Sequence, residues 1–176
     1  MYRTLSFAAV LTLLAAPATA QMHGHDMRSS IAQVETFWNQ VTGHVMTVAK
    51  ETAEEDYGYR PTDSVRSIGE MIGHIAGAQY MMCAAAMGDE PRAEDAVEEA
   101  ANTKEALVAE LAASTEYCAK AYQMNDMELA GETELWGSPV TRFYALTQNA
   151  IHNAEHYGNL ITYLRMQGIV PPSSRR

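Results

Sequence analysis

The sequence has no positively charged stripe. Its 12 lysines and arginines are scattered among 22 aspartates and glutamates, for a net charge of −10, and without clustered cations nothing supplies the phosphate contacts that nucleic-acid binding demands. No nucleic-acid partner is expected. No apolar run approaches the ~20 residues that a bilayer-crossing helix requires, so no membrane span is expected either. Alternating strand patterns, internal repeats and glycine-rich phosphate loops are also missing, which leaves an all-α chain as the expectation. Cysteine is scarce, with Cys83 and Cys118 the only two. No serine or cysteine nucleophile is placed by a recognisable motif.

What is present begins with an export signal. Arg3 precedes an uncharged apolar run from Phe7 to Ala16, and Ala18-Thr19-Ala20 places small residues where a signal peptidase reads. Residues 1–20 are therefore read as a signal peptide cleaved after Ala20, and the product as periplasmic or secreted. About 156 of the 176 residues remain, enough for one domain with a sizeable core. Residues 21–28 read as a flexible polar tail in which Met22, His23, His25 and Met27 stand close together and would compete for metal. Residues 29–172 read as the folded domain and 173–176 as a C-terminal tail.

Four helical patterns fill the domain. The first starts at Ser29 or Ser30, with Gln33 closing a capping box, and runs to about Thr52 with Ile31, Val34, Phe37, Trp38, Val41, Val45 and Val48 on one face. Glu51 to Ser64 is a connecting loop containing Gly58 and Pro61. Ser67 and Glu70 form a Ser-x-x-Glu box that opens the second helix, whose apolar face runs from Ile68 to Cys83. Gly88 to Ala101 is an acidic crossing segment whose carboxylates read as a solvated face. Asn102 caps the third helix, with Leu107, Leu111, Cys118 and Tyr122 inward. Met124 to Gly137 is a loop, and Ser138-Pro139 starts the last helix, which Gly168 and Pro171-Pro172 end. Helices of roughly 20 to 29 residues imply an antiparallel-type four-helix bundle.

The chemistry sits on the last helix. His152 and His156 stand four residues apart, just over one turn, so both imidazoles leave the same face and can meet one ion. They fall on the flank of the stripe Phe143, Leu146, Ala150, Tyr157, Ile161 and Leu164, and His74 falls on the matching flank of the second helix as the third donor. Three neutral imidazoles leave at least one coordination position open, the arrangement catalytic zinc uses. Zinc fits best by ligand type, and nickel or iron would also accept imidazoles. His44, on the first helix, reads either as a partly buried bundle histidine or as a base or fourth ligand beside the metal.

These residues resemble the DinB-like family of four-helix-bundle metalloproteins. The resemblance spans nearly the whole mature chain: Tyr59-Arg60-Pro61 in the loop, Ser67-Ile68-Gly69-Glu70 and His74 on the second helix, His152-x-x-x-His156-Tyr157-Gly158-Asn159 on the last, and Leu164 to Gly168 at the close. It implies an up-down-down-up topology, a homodimer, and His74, His152 and His156 as the metal triad. Asn159 stands where glutamine often follows the glycine. Some members use low-molecular-weight thiols, a pool from which an exported chain is separated. A metal-dependent hydrolase or transferase of an unidentified small substrate is the enzymatic reading. A non-catalytic module holding metal or a small ligand is compatible with the same triad. A third reading takes His152-x-x-Glu155-His156 as an inverted zinc-peptidase motif with Glu155 as general base, but no Asp or Glu follows His156 to complete it, so Glu155 reads instead as a residue that supports the metal ligands from behind or faces solvent.

The cysteines report on topology independently. Cys83 lies sixteen residues after Ser67, and Cys118 sixteen after Asn102, so at ~1.5 Å rise per residue both sit about 24 Å along their helices. Equal heights meet only if the second and third helices run parallel. An antiparallel pair would leave the sulfurs about 18 Å apart, beyond the reach of a disulfide. A Cys83–Cys118 bridge is therefore expected.

Overall fold

The computed structural model describes residues 27–175. The expected signal peptide and most of the polar tail lie outside the described residues. Six helices and one hairpin follow in order: α1 (Met27–Glu51), α2 (Ile68–Met87), the short α3 (Ala96–Ala100), α4 (Lys104–Ala121), the short α5 (Asp126–Ala130), β1 (Glu132–Leu135), β2 (Ser138–Thr141) and α6 (Arg142–Met166). The four long helices form the bundle.

Contacts between named residues fix their directions. Gly73 meets Leu107, Gln79 meets Ser114 and Cys83 meets Cys118, so position rises together along α2 and α4 and the two run parallel. His74 meets His156 while Gln79 meets Asn153, which makes α2 and α6 antiparallel. Thr42 with Asn153 and His44 with Tyr157 make α1 and α6 parallel. The order is up-down-down-up. The Cys83–Cys118 disulfide is formed, with Cα atoms 5.3 Å apart and both residues fully buried.

Local chemistry explains most element boundaries. At the start of α2 the Ser67 hydroxyl accepts from Glu70 N at 3.3 Å while Ser67 N donates to Glu70 Oε2 at 2.7 Å, so two otherwise orphaned donors are satisfied reciprocally. At its end Gly88 adopts φ 80°, a left-handed cap that a side chain would strain. Three expected starts are corrected. Helix α1 begins at Met27, ahead of Ser29, so the polar tail is shorter than expected. Thr103, not Asn102, caps α4 by accepting from Ala106 N, and Thr141, not Ser138, caps α6 by accepting from Tyr144 N. Ser138-Pro139 instead belongs to a β-hairpin that the absence of long alternating runs concealed. Trp136 and Gly137 both have positive φ and link paired Leu135 and Ser138, the two-residue turn whose twist suits a hairpin.

The core has two apolar layers. Val41, Val45, Ile72, Leu111, Leu160 and Leu164 fill one, and Trp38, Met82, Tyr122, Leu129 and Leu146 fill the other. Phe37, expected inside, is 45% exposed. Between the layers lies a polar cross-link centred on Gln79, whose Oε1 accepts from Trp38 Nε1 at 2.9 Å and Asn153 Nδ2 at 3.1 Å and whose Nε2 donates to Ser114 Oγ at 2.9 Å. Buried amides tie down α1, α2, α4 and α6 only when so paired. This cross-link lies five residues, about one and a half turns, from His74 on α2 and adjoins His152 on α6, so the two helices carrying these imidazoles are held in register.

Candidate metal centre

His74, His152 and His156 converge. Their Nε2 atoms form a triangle with sides of 3.2, 3.2 and 3.0 Å. The spacing of four residues on α6 brings the last two together, and the antiparallel packing of α2 delivers the first. His74 is buried and the other two are half-buried.

This triangle is frustrated without a cation. In the plane of its ring each Nε2 carries either one proton or one lone pair. Of three atoms with two possible states at least two are alike, and that pair then faces proton to proton or lone pair to lone pair at hydrogen-bond distance. A cation removes the conflict, because all three nitrogens then present lone pairs. The spacing agrees: nitrogens about 2.0–2.1 Å from a zinc ion at interligand angles between tetrahedral and octahedral stand about 2.9–3.4 Å apart. Burial, followed by the neighbouring imidazoles and Arg66, holds the His152 pKa down to about 3, and burial, followed by His74 and Arg66, holds that of His156 down to about 4. Both are thus neutral at physiological pH, the form in which an imidazole nitrogen can accept a metal.

Carboxylates surround the triad. His74 Nδ1 lies 3.0 Å from Asp95 Oδ1, so with Nε2 free for an ion the Nδ1 proton is donated to that carboxylate, which fixes tautomer and ring orientation. Arg66 binds Asp95 at 3.2 Å and Glu98 at 2.9 Å. The His74 hydrogen bond, with the Arg66 charge behind it, holds the Asp95 carboxyl below its ordinary range. Glu94 Oε1 stands 3.4 Å from His152 Nε2 and 3.9 Å from His74 Nε2. Surface clefts of ≈ 360 Å³ and ≈ 310 Å³ share Glu70 and Glu98 and adjoin this segment.

The acidic crossing segment is therefore not simply a solvated face. It approaches because α2 is bare there. A Cβ at Gly77 would lie 2.0 Å from the Glu94 carbonyl oxygen, and one at Gly73 would lie 2.8 Å from Glu98 Cα. Gly69, Gly73 and Gly77 recur every four residues, a groove along one side of the helix. That spacing, beside a flank histidine, was the available signal for Glu94, Asp95 and Glu98.

The other candidates lie apart. His44 is half-buried and stacks on Tyr157, ring centroids 5.2 Å apart. Glu155 is exposed. His156 Nδ1 lies 3.4 Å from the Asn159 amide, so Asn159 takes a supporting place beside the triad.

A sequence model described as the DinB superfamily matches residues 33–160. Among solved structures, the chain is similar to a DinB-like protein from Bacillus cereus ATCC 10987, at TM-score 0.68 and 15% identity over 82% of this chain and 95% of that one. A DinB-like protein from Bacillus subtilis gives TM-score 0.64 and 21% identity over 82% of this chain and 99% of that one. A mutant of the mycothiol-dependent maleylpyruvate isomerase gives TM-score 0.59 and 16% identity over 77% of this chain and 66% of that one. At these identities the likeness is one of fold. No curated protein matches the sequence.

Proposed function

The chain belongs to the DinB superfamily, and from that membership and the imidazole triangle we propose that it holds one divalent metal ion on His74, His152 and His156 and uses it to hydrolyse or transfer a group on a small substrate. The observation that carries this reading is the three-way Nε2 contact at 3.0–3.2 Å, which neutral imidazoles alone cannot satisfy. Zinc is proposed from the all-imidazole donor set, with nickel or iron as the other ions such donors accept. When bound, the ion supplies Lewis acidity toward water or a substrate oxygen.

The chain's own residues supply the rest. Asp95 accepts the Nδ1 proton of His74 and so keeps its Nε2 available, while Arg66 anchors Asp95 and Glu98 against the helix. His152 and His156 stay neutral because burial disfavours their charged forms. No helix among the described residues is long and apolar enough to cross a membrane. The signal-like N-terminus and the buried disulfide support a periplasmic or secreted location.

One observation favours a second reading, a non-catalytic metal or ligand-binding module: His44 stacks on Tyr157 and Glu155 is exposed, so neither is held as a buried base beside the triad. Metal analysis and assay together separate the readings. The full chain, purified without a histidine tag and carrying His23→Ala and His25→Ala to silence the N-terminal donors, is expected to contain one equivalent of divalent metal. His74→Ala is expected to lose it and keep its helicity. Hydrolysis or transfer on a substrate panel, abolished by chelation and restored by metal, supports the enzyme. Full metal with no turnover supports the module, and full metal content in His74→Ala refutes the triad.

A further inference from the structure

The three carboxylates of the crossing segment divide their work. Asp95 and Glu98 face Arg66 and the Nδ1 side of His74, at 3.0 and 3.8 Å from that nitrogen. Glu94 faces the other side. Its Oε1 is 3.4 Å from His152 Nε2 and 3.9 Å from His74 Nε2, the nitrogens that would carry the ion's bonds. A carboxylate oxygen and an imidazole nitrogen sharing one zinc ion, at bond lengths of about 2.0–2.2 Å, stand about 2.9–3.4 Å apart. The His152 distance already meets that range, while those to His74 Nε2 and to His156 Nε2, which lies beyond 4.0 Å, require the carboxylate to swing inward from a side chain that is 29% exposed.

The placement is not that of a loose surface acid. The Glu94 backbone carbonyl lies against Gly77, where any side chain would collide with it, so the residue is docked on α2 one turn from His74. Charge argues the same way. Three neutral imidazoles leave a divalent ion uncompensated, and an anionic ligand offsets that charge directly. We propose that Glu94 is a fourth ligand of the ion held by His74, His152 and His156, an anionic donor in the position a three-histidine site leaves open. This rests on the triad reading and deepens it: the resting site is closed by the chain itself, and a substrate must displace Glu94 to reach the ion.

Cobalt(II) tests the assignment, because its visible bands report the donor set and coordination number. The full chain with His23→Ala and His25→Ala is titrated with cobalt beside the same chain carrying Glu94→Gln or Glu99→Gln. Far-UV circular dichroism checks that each variant is folded. Glu99 is an exposed carboxylate of the same segment, so Glu99→Gln removes the same charge and controls for the electrostatic field. Glu94→Gln is expected to shift the bands and weaken cobalt binding at least tenfold, whereas Glu99→Gln keeps the parent bands. Unchanged bands in Glu94→Gln would overturn the fourth ligand and leave the triad standing. If the parent chain develops no bands while folded, the triad reading itself falls, and this proposal with it.

Discussion

Gly77→Ala is the smallest change that should separate fold from site. The new Cβ would lie 2.0 Å from the Glu94 carbonyl oxygen, whereas real contacts of this kind are not found under 3.0 Å, so the crossing segment must retreat by at least about 1 Å. Asp95, one residue on, then moves from 3.0 Å to about 4 Å from His74 Nδ1, beyond hydrogen bonding. Loss of such an outer partner lowers metal affinity about 10–100-fold, or roughly 1.4–2.7 kcal/mol. Stability changes less: overpacking costs about 1–3 kcal/mol, and replacing glycine by alanine in a helix returns about 1 kcal/mol. Chelator competition for zinc and urea denaturation of the metal-free chain measure the two effects separately. Gly43→Ala is the control, since nothing lies within 4 Å of its would-be Cβ; it should add up to about 1 kcal/mol of stability and leave zinc affinity alone. A Gly77→Ala chain that binds zinc as tightly as the parent would refute the idea that the glycine groove delivers the carboxylates.

Two further outcomes follow from the same structure. Replacing Cys83 and Cys118 by alanine opens a loop with a sequence separation of 35 residues, and chain entropy puts the loss at about 3.8 kcal/mol, or roughly 8–15 °C in melting temperature; free thiols in the denatured, unreduced parent would contradict the bridge. The metal-free chain should also be acid-sensitive in a defined window. His152 and His156 titrate near 3 and 4 when folded against 6.5 when free, so below 6.5 the unfolded state binds protons that the folded state does not. Stability is fully present above about pH 6.5 and falls as pH drops from there toward 3. Denaturation midpoints that stay level between pH 7 and 4.5 would show that these imidazoles are not desolvated.

The bundle was legible because its signals are local or periodic. The Ser67–Glu70 box, the stripe from Ile68 to Cys83 and the one-turn spacing of His152 and His156 act within a single helix, and each is found in place. Equal cysteine heights extended this to a tertiary fact, the parallel course of α2 and α4. What escaped was short or depended on a partner. Four-residue strands such as Glu132–Leu135 offer too few alternations to stand out, and pairing across the Trp136-Gly137 turn is what shifts the start of α6 from Ser138 to Arg142. Phe37 keeps the helical period and still faces outward, since periodicity marks a face without saying how far the neighbouring helices extend over it. Glu94, Asp95 and Glu98 read as solvated because acids are mostly exposed; only the groove across the helix turns them toward the triad.

The most direct measurement is an anomalous difference map at the zinc absorption edge from crystals of the full chain grown with one equivalent of zinc. A single peak about 2.0–2.1 Å from the Nε2 atoms of His74, His152 and His156 is the predicted result. A peak instead on the other side of His74, between Nδ1, Asp95 and Glu98, where a second set of donors lies close enough to hold an ion, would contradict it.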